Sequence, residues 1–221
     1  MHVTTTDPTS RPVRIDTAGV SLHGDLSIPA GAVGVVAFVH GSGSSRFSRR
    51  NRGVADALIH ARLGTLLLDL LTETEERTDA VTAEFRFDIP LLAARTTGVV
   101  DWIAQSARTA SLALGLFGAS TGAAAALIAA SQRPRLVRAV VSRGGRPDLA
   151  DAALDIVTAP TLLIVGSRDE PVIDLNRRAL DRLSGEREIQ IVQGATHLFE
   201  EPGAIDEVAR LAASWFLDHF V

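Results

Sequence analysis

Short runs of aliphatic and β-branched residues alternate along the chain with stretches whose apolar positions recur at helical spacing. Strands apolar on both faces, separated by amphipathic helices, are the pattern of a parallel sheet covered on both sides. Six such runs predict buried strands: 34–40 (GVVAFVH), 65–70 (TLLLDL), 112–118 (LALGLFG), 136–143 (LVRAVVSR), 161–167 (TLLIVGS) and 187–193 (REIQIVQ). The stretches VRIDTAG and VSLHGDLSIP alternate instead, and predict an opening antiparallel hairpin that turns at Gly19. Helices are expected at about 52–63, 89–105, 121–132, 172–183 and 203–220.

The segment 71–88, LTETEERTDAVTAEFRFD, breaks this rhythm. It is charged, weakly periodic and longer than an ordinary connection, so it reads as either a solvated loop or a lid over a site. Residues 1–11 read as a flexible tail, and 12–221 as a single α/β domain without repeats or linkers.

Composition changes the picture mainly by what it removes. With 221 residues, 46% of them hydrophobic, the chain can bury one full core. A formal net charge of -4 disfavours nucleic acid and anionic membranes as partners, because both need a basic footprint. A small-molecule substrate is expected, with the chain a monomer or homodimer. There is no Cys and no Tyr, and all 22 basic residues are Arg, so disulfides, thiolate chemistry, Schiff bases and a P-loop lysine fall away. Neither a cofactor nor a metal is called for. The amino terminus lacks an apolar signal-like core, and no apolar run approaches the ~18 residues of a membrane span, so the protein is expected to be cytoplasmic.

The candidate chemistry lies at strand ends. Gly118-Ala119-Ser120-Thr121-Gly122 follows one predicted strand and opens a helix, the setting in which G-x-S-x-G forms a strained turn that exposes the serine Oγ. The plainer reading of Ser120 is a helix N-cap. A nucleophilic serine needs a base, and the base needs an orienting acid. Of the six histidines, His2, His23, His60 and His219 fall in the tail, the hairpin and helices, whereas His197 follows the last predicted strand. Asp169 follows the strand TLLIVGS, where it could equally be an N-cap, and the order Ser120, Asp169, His197 is the one an α/β-hydrolase sheet requires.

Acyl transfer also needs two backbone N–H groups aimed at the developing oxyanion. One is expected from Thr121, and the other from the loop His40-Gly41-Ser42-Gly43, with Ser42 chosen and Gly43 open beside it. His40 is expected to hold that loop in place. Gly43, Arg143 and Arg146 are candidate substrate-binding residues, the arginines through a bidentate pair with a carboxylate. Alternatively these arginines, with Arg46, Arg49, Arg50 and Arg52, pair with the acids Glu73, Glu75, Glu76 and Asp79 of the segment 71–88.

From about Val13 to Phe220 the chain resembles the α/β-hydrolase superfamily, and within it the dienelactone hydrolase-related group. The residues that carry the likeness are His40-Gly41-Ser42-Gly43, the Ser120 pentapeptide, Asp169 in GSRDEPV and His197 in GATHLFEEPG. The resemblance implies a sheet of about seven to eight strands, no cap domain, and Ser120, Asp169 and His197 as a triad. Dienelactone hydrolases proper carry a cysteine nucleophile. Serine in that place points toward an esterase acting on small esters, lactones or thioesters. Two other classes compete: a nucleotide-binding oxidoreductase using the loop His40 to Arg46 with Asp69 on a ribose, and a non-catalytic binding module on a hydrolase scaffold.

Overall fold

A computed structural model describes residues 10–220. The chain opens with β1 (Arg11–Thr17) and β2 (Val20–Ser27), followed by β3 (Gly34–Val39), α1 (Arg49–His60), β4 (Leu63–Leu68), α2 (Glu73–Thr82) and α3 (Ile89–Gln105). It continues through β5 (Ala113–Ala119), α4 (Thr121–Gln132), β6 (Val137–Arg143), a 3-10 segment (Pro147–Ile156), β7 (Thr161–Gly166), α5 (Glu170–Arg182), β8 (Arg187–Val192) and α6 (Ala204–His219). The eight strands form one sheet in the order β1-β2-β4-β3-β5-β6-β7-β8.

The opening hairpin is antiparallel, and β2 also runs antiparallel to β4, while the remaining pairs are parallel. Ala18 and Gly19 turn the hairpin with φ of 48° and 77°. Two successive positive values match the twist of the flanking strands in a two-residue turn. Of the expected tail, residues 1–9 lie outside the described residues, and Arg11 already belongs to β1.

The two faces of the sheet are separate layers of one core. Val35, Ala37 and Val39 of β3 pack with α3, α4 and the 3-10 segment, while Val36 and Phe38 pack with α1 and α6. Alternation of side chains along a strand makes both layers from one run of apolar residues. Alanine-rich α4 is buried on almost every side, so its small residues let it lie close against the sheet and α3. No helix among the described residues is long and apolar enough to cross a membrane.

Strand order reverses beside β3, whose sequence successor β4 lies on one side and β5 on the other. In open α/β sheets the crevice beyond the strand carboxyl ends at such a reversal is where ligands bind. The loop after β3 and the turn after β5 therefore meet at that point.

Candidate active site

Ser120 joins β5 to α4 with φ 50° and ψ -124°, a conformation that is costly for any residue with a Cβ. The flanking glycines permit it. A Cβ on Gly118 would lie 2.5 Å from Ala123 Cα, and one on Gly122 would lie 2.1 Å from the Val39 carbonyl oxygen. Ser120 occupies the N-cap position of α4, yet its side chain makes no capping hydrogen bond. The serine and acid caps of other helices do: Ser48 Oγ accepts from Asn51 N, and Asp88 Oδ1 from Leu91 N at 2.9 Å. The turn is held by backbone instead, since the Ser120 carbonyl accepts from Ala123 N at 3.1 Å and Arg146 N at 3.0 Å. Oγ is left without a partner among the described residues.

Asp169 shows the same departure. It stands at the N-cap of α5 and does not cap it. Its Oδ2 accepts a 2.6 Å hydrogen bond from His197 Nδ1. A carboxylate has no proton to give, so the ring carries hydrogen on Nδ1 and presents Nε2 as the acceptor. The loop carrying His197 lies over the end of β6, with Cε1 3.7 Å from where a Gly144 Cβ would be. Asp169 and His197 are thus brought into contact from two strand ends, and Ser120 lies at a third without a hydrogen bond to the imidazole.

The loop after β3 is fixed from both sides. His40 is buried; Leu70 N donates to its Nε2 at 3.0 Å, and its Nδ1 donates to Gly41 O at 2.9 Å. This use of both nitrogens requires the neutral ring, and burial pushes the His40 pKa down against smaller upward pulls from the Gly41 carbonyl and Asp69. Asp69 accepts from Arg46 N at 2.8 Å and also pairs with the Arg46 guanidinium. That occupation takes away the carboxylate a ribose would need, which removes the dinucleotide reading of this loop. Ser42 Oγ donates to Arg86 O at 3.1 Å and lies 3.0 Å from Thr121 Oγ1, which must be the donor of that second bond. Neither the Ser42 nor the Thr121 backbone N–H has an acceptor among the described residues. A Cβ on Gly41 would lie 2.8 Å from Ser120 Cβ, so the loop abuts the serine.

Because the native state resists protonating His40 and the unfolded state does not, stability is expected to fall as pH drops below about 6.5 toward the lowered native value, by up to ~1.4 kcal/mol per pH unit. Urea midpoints at pH 7.5 and 5.5 should differ for wild type, and His40→Gln, which cannot titrate, should flatten the difference. An equally steep dependence in His40→Gln would place its origin elsewhere.

The segment 71–88 is a helix and turn rather than a loop. Thr72 and Glu75 form a reciprocal capping box, Asp79 Oδ1 accepts from Phe85 N at 2.8 Å, and Arg86 Nε donates to Asp79 Oδ2 at 2.7 Å. Burial pushes the Asp79 carboxyl up, but the Arg86 and Phe85 bonds outweigh it and hold it below its usual range. Of α2 only Asp79 is buried, so no apolar stripe betrays the helix, and the T-x-x-E box was the signal to read. Under α2 lies a cavity of about 430 Å³ lined by Ser42, Gly43, Leu71, Glu76, Arg86 and Leu92. Arg86 was not singled out from sequence, and Glu76 was expected only as a pairing partner for the arginines.

The arginines do not pair with this segment. Glu75 bonds Arg95 at 2.6 Å and Asp79 bonds Arg86, while Arg46 and Arg52 turn to Asp25, Arg50 to Glu200 at 2.9 Å, and Arg146 to Asp148 at 2.8 Å. Glu75 turns to α3 and Asp79 to the helix's own return, while Glu76 faces the β3 loop and feels the Arg46 charge without forming an ion pair with it among the described residues. Arg146 reaches the elbow only through its backbone N–H, its guanidinium being taken by Asp148. Arg143 is buried, with Nη2 donating to Asn51 Oδ1 at 3.1 Å. Burial first and the nearby Arg50 second push its pKa down to about 10. Among the described residues no group of three or more His, Asp and Glu could hold a metal ion.

The dienelactone hydrolase family model matches residues 69–219. A crystal structure of dienelactone hydrolase from Anabaena variabilis is 54% identical, covers 96% of this chain and 99% of that one, and superposes with a TM-score of 0.95. Est1E from Butyrivibrio proteoclasticus shares the fold at 15% identity, with a TM-score of 0.78 over 94% of this chain and 98% of that one. A Mycobacterium tuberculosis protein bearing the name "Putative phosphoribosyl transferase" is 54% identical over 207 residues, which are 94% of this chain and 46% of that protein. The chain spans about half the length of the curated relatives it matches.

Proposed function

The chain belongs to the dienelactone hydrolase family, and on that footing we propose that it is a serine hydrolase cleaving small carboxylic esters, lactones or thioesters through an acyl-enzyme on Ser120. One observation carries the reading. Ser120 and Asp169 both occupy N-cap positions and neither caps; one keeps a strained turn with a free Oγ, and the other spends its carboxylate on His197 at 2.6 Å. A purely structural serine and aspartate would have satisfied the helix ends, at a gain of about 1 kcal/mol each.

In this reaction Ser120 Oγ attacks the acyl carbon as His197 Nε2 takes its proton, and Asp169 stabilises the resulting imidazolium. The Ser42 and Thr121 N–H groups receive the oxyanion, which accounts for two donors left without acceptors beside the serine. His197 then gives the proton to the leaving oxygen or sulfur. Water, deprotonated by the same imidazole, releases the acid and restores Ser120. The contact between Ser120 and His197 closes in the substrate complex, since such hydrogen bonds are commonly loose in unliganded enzymes. The transferase name of the mycobacterial relative belongs to a protein of which this chain matches 46%. No feature of the Ser120 site favours that reaction.

A fluorophosphonate should add its mass to Ser120 alone. The cavity under α2, about 430 Å³, is near the small end of ligand sites, which run ~300–1,000 Å³. Acetyl and butyryl p-nitrophenyl esters should therefore be cleaved with kcat/KM roughly tenfold or more above the palmitoyl ester, a difference of about 1.4 kcal/mol. No label on Ser120 would end the proposal, and a palmitoyl preference would end the small-substrate part of it.

A further inference from the structure

A groove of about 780 Å³ opens on the far side of the β3 loop from α2, between Ser42–Ser45, the start of α1 and the stretch Phe199–Ile205. Its charge arrangement is unusual. The first turn of α1 contains no acidic residue, although a helix amino terminus attracts negative charge, and it carries Arg49 and Arg50 instead. The N–H groups of Arg49 and Arg50 have no acceptor among the described residues.

Behind this turn lies Arg143, 7% exposed and without a carboxylate partner among the described residues. Its one bond goes to Asn51, in that same first turn, and its guanidinium stands 5.8 Å from the ring centroid of Phe199, a wall of the groove. Nε of Arg143 and Nε of Arg50 are both buried without a partner among the described residues. A guanidinium buried without a counter-charge is costly, and a second one beside it raises the cost. The described residues offset this only in part. Glu200 engages only Nη1 of Arg50 and is 65% exposed, and Glu201 is bound to Thr196 N. The cavity under α2 is less positive, with Glu76 in its wall and Asp79 neutralised there by Arg86.

We propose that Arg50, Arg143 and the first turn of α1 form a subsite beside Ser120 for a phosphate group carried by the substrate. The inference rests on the hydrolase reading above and narrows it to phosphorylated esters or thioesters, the neutral part lying under α2. Phosphate is favoured over carboxylate because the donors outnumber what two oxygens can use: the Arg50 guanidinium, two backbone N–H groups and the Ser44 hydroxyl border the groove, and the Arg143 guanidinium lies behind it, bonded to Asn51 in the same turn. The backbone of Arg143 meets that of the serine, the Ser120 N–H donating to its carbonyl at 3.4 Å.

The test uses inorganic phosphate as probe, read by calorimetry on the full chain and by competition with p-nitrophenyl acetate hydrolysis. Phosphate should bind, compete with the ester and outperform acetate by at least about tenfold, and Arg143→Gln and Arg50→Gln should each weaken it by about tenfold or more, the loss of one charge-assisted bond. Because Arg143→Gln could misfold, the partly exposed Arg50→Gln is the deciding variant. No calorimetric binding, equal affinity for acetate, or phosphate affinity unchanged in Arg50→Gln would overturn the proposal. Phosphate binding without any ester turnover would sink the hydrolase reading and keep the subsite, whereas turnover without phosphate binding would do the reverse.

Discussion

Ser120→Ala is expected to lower kcat for p-nitrophenyl acetate by on the order of 10⁶, to the background left by binding and oxyanion donors, while the protein keeps its fold. The size follows from the proposed role, in which without Oγ no acyl-enzyme can form and neither His197 nor Asp169 has anything to activate. Folding should survive because the Ser120 side chain makes no hydrogen bond and does not cap α4. Alanine inherits the same φ of 50° and therefore the same strain. Ser120→Gly provides the control, since removing the Cβ relieves a conformation that costs about 1–3 kcal/mol, and this equally inactive variant should melt higher than Ser120→Ala. More than about one part in a hundred of wild-type kcat in a folded Ser120→Ala protein would exclude Ser120 as the nucleophile.

Asp169→Asn should lower kcat by about 10⁴ with little change in melting temperature. The carboxylate now fixes the tautomer with hydrogen on Nδ1, through the 2.6 Å bond. An asparagine can offer its amide N–H to Nδ1, which moves the imidazole proton to Nε2 and leaves no acceptor facing Ser120. Stability should hold because Asp169 contributes no side-chain cap to α5, and asparagine is as good an N-cap as aspartate. Steady-state kinetics and thermal melts on one preparation check both halves. A loss smaller than about tenfold would reduce Asp169 to a spectator of His197.

The placement of Ser120, Asp169 and His197 at strand ends was legible in the sequence. A strand followed by glycine, serine and glycine has few local solutions, and the histidine and aspartate were found because they follow apolar runs that could only be strands. The predicted helices at 89–105 and 121–132 coincide with α3 and α4, while α1 begins at Arg49 and α5 at Glu170, each a few residues ahead of its expected start. Apolar periodicity starts only where apolar burial starts, and α1 opens on Arg49-Arg50-Asn51 and α5 on Glu170-Pro171. The helix α2 escaped altogether for the same reason, with one buried residue and a capping box as its only mark.

What the sequence determined by itself was therefore local: the alternation that builds the sheet, the two-residue hairpin turn, the strained serine, and the chemistry waiting at each strand end. These follow from side-chain alternation, backbone sterics and the order of residues, all properties of neighbours along the chain. Only the tertiary structure decided who meets whom. Arg143 finds Asn51 across 92 positions, Ser42 finds Thr121 across 79, and Asp169 turns from its helix to His197 across 28. Any of the 22 arginines could have taken any of the 26 acids by charge alone, and the sequence carries no term that chooses among them. The choice belongs to the packing, which brought Glu75 to Arg95, Asp79 to Arg86 and Asp69 to Arg46, and left Arg143 buried beside the serine with no acid partner among the described residues.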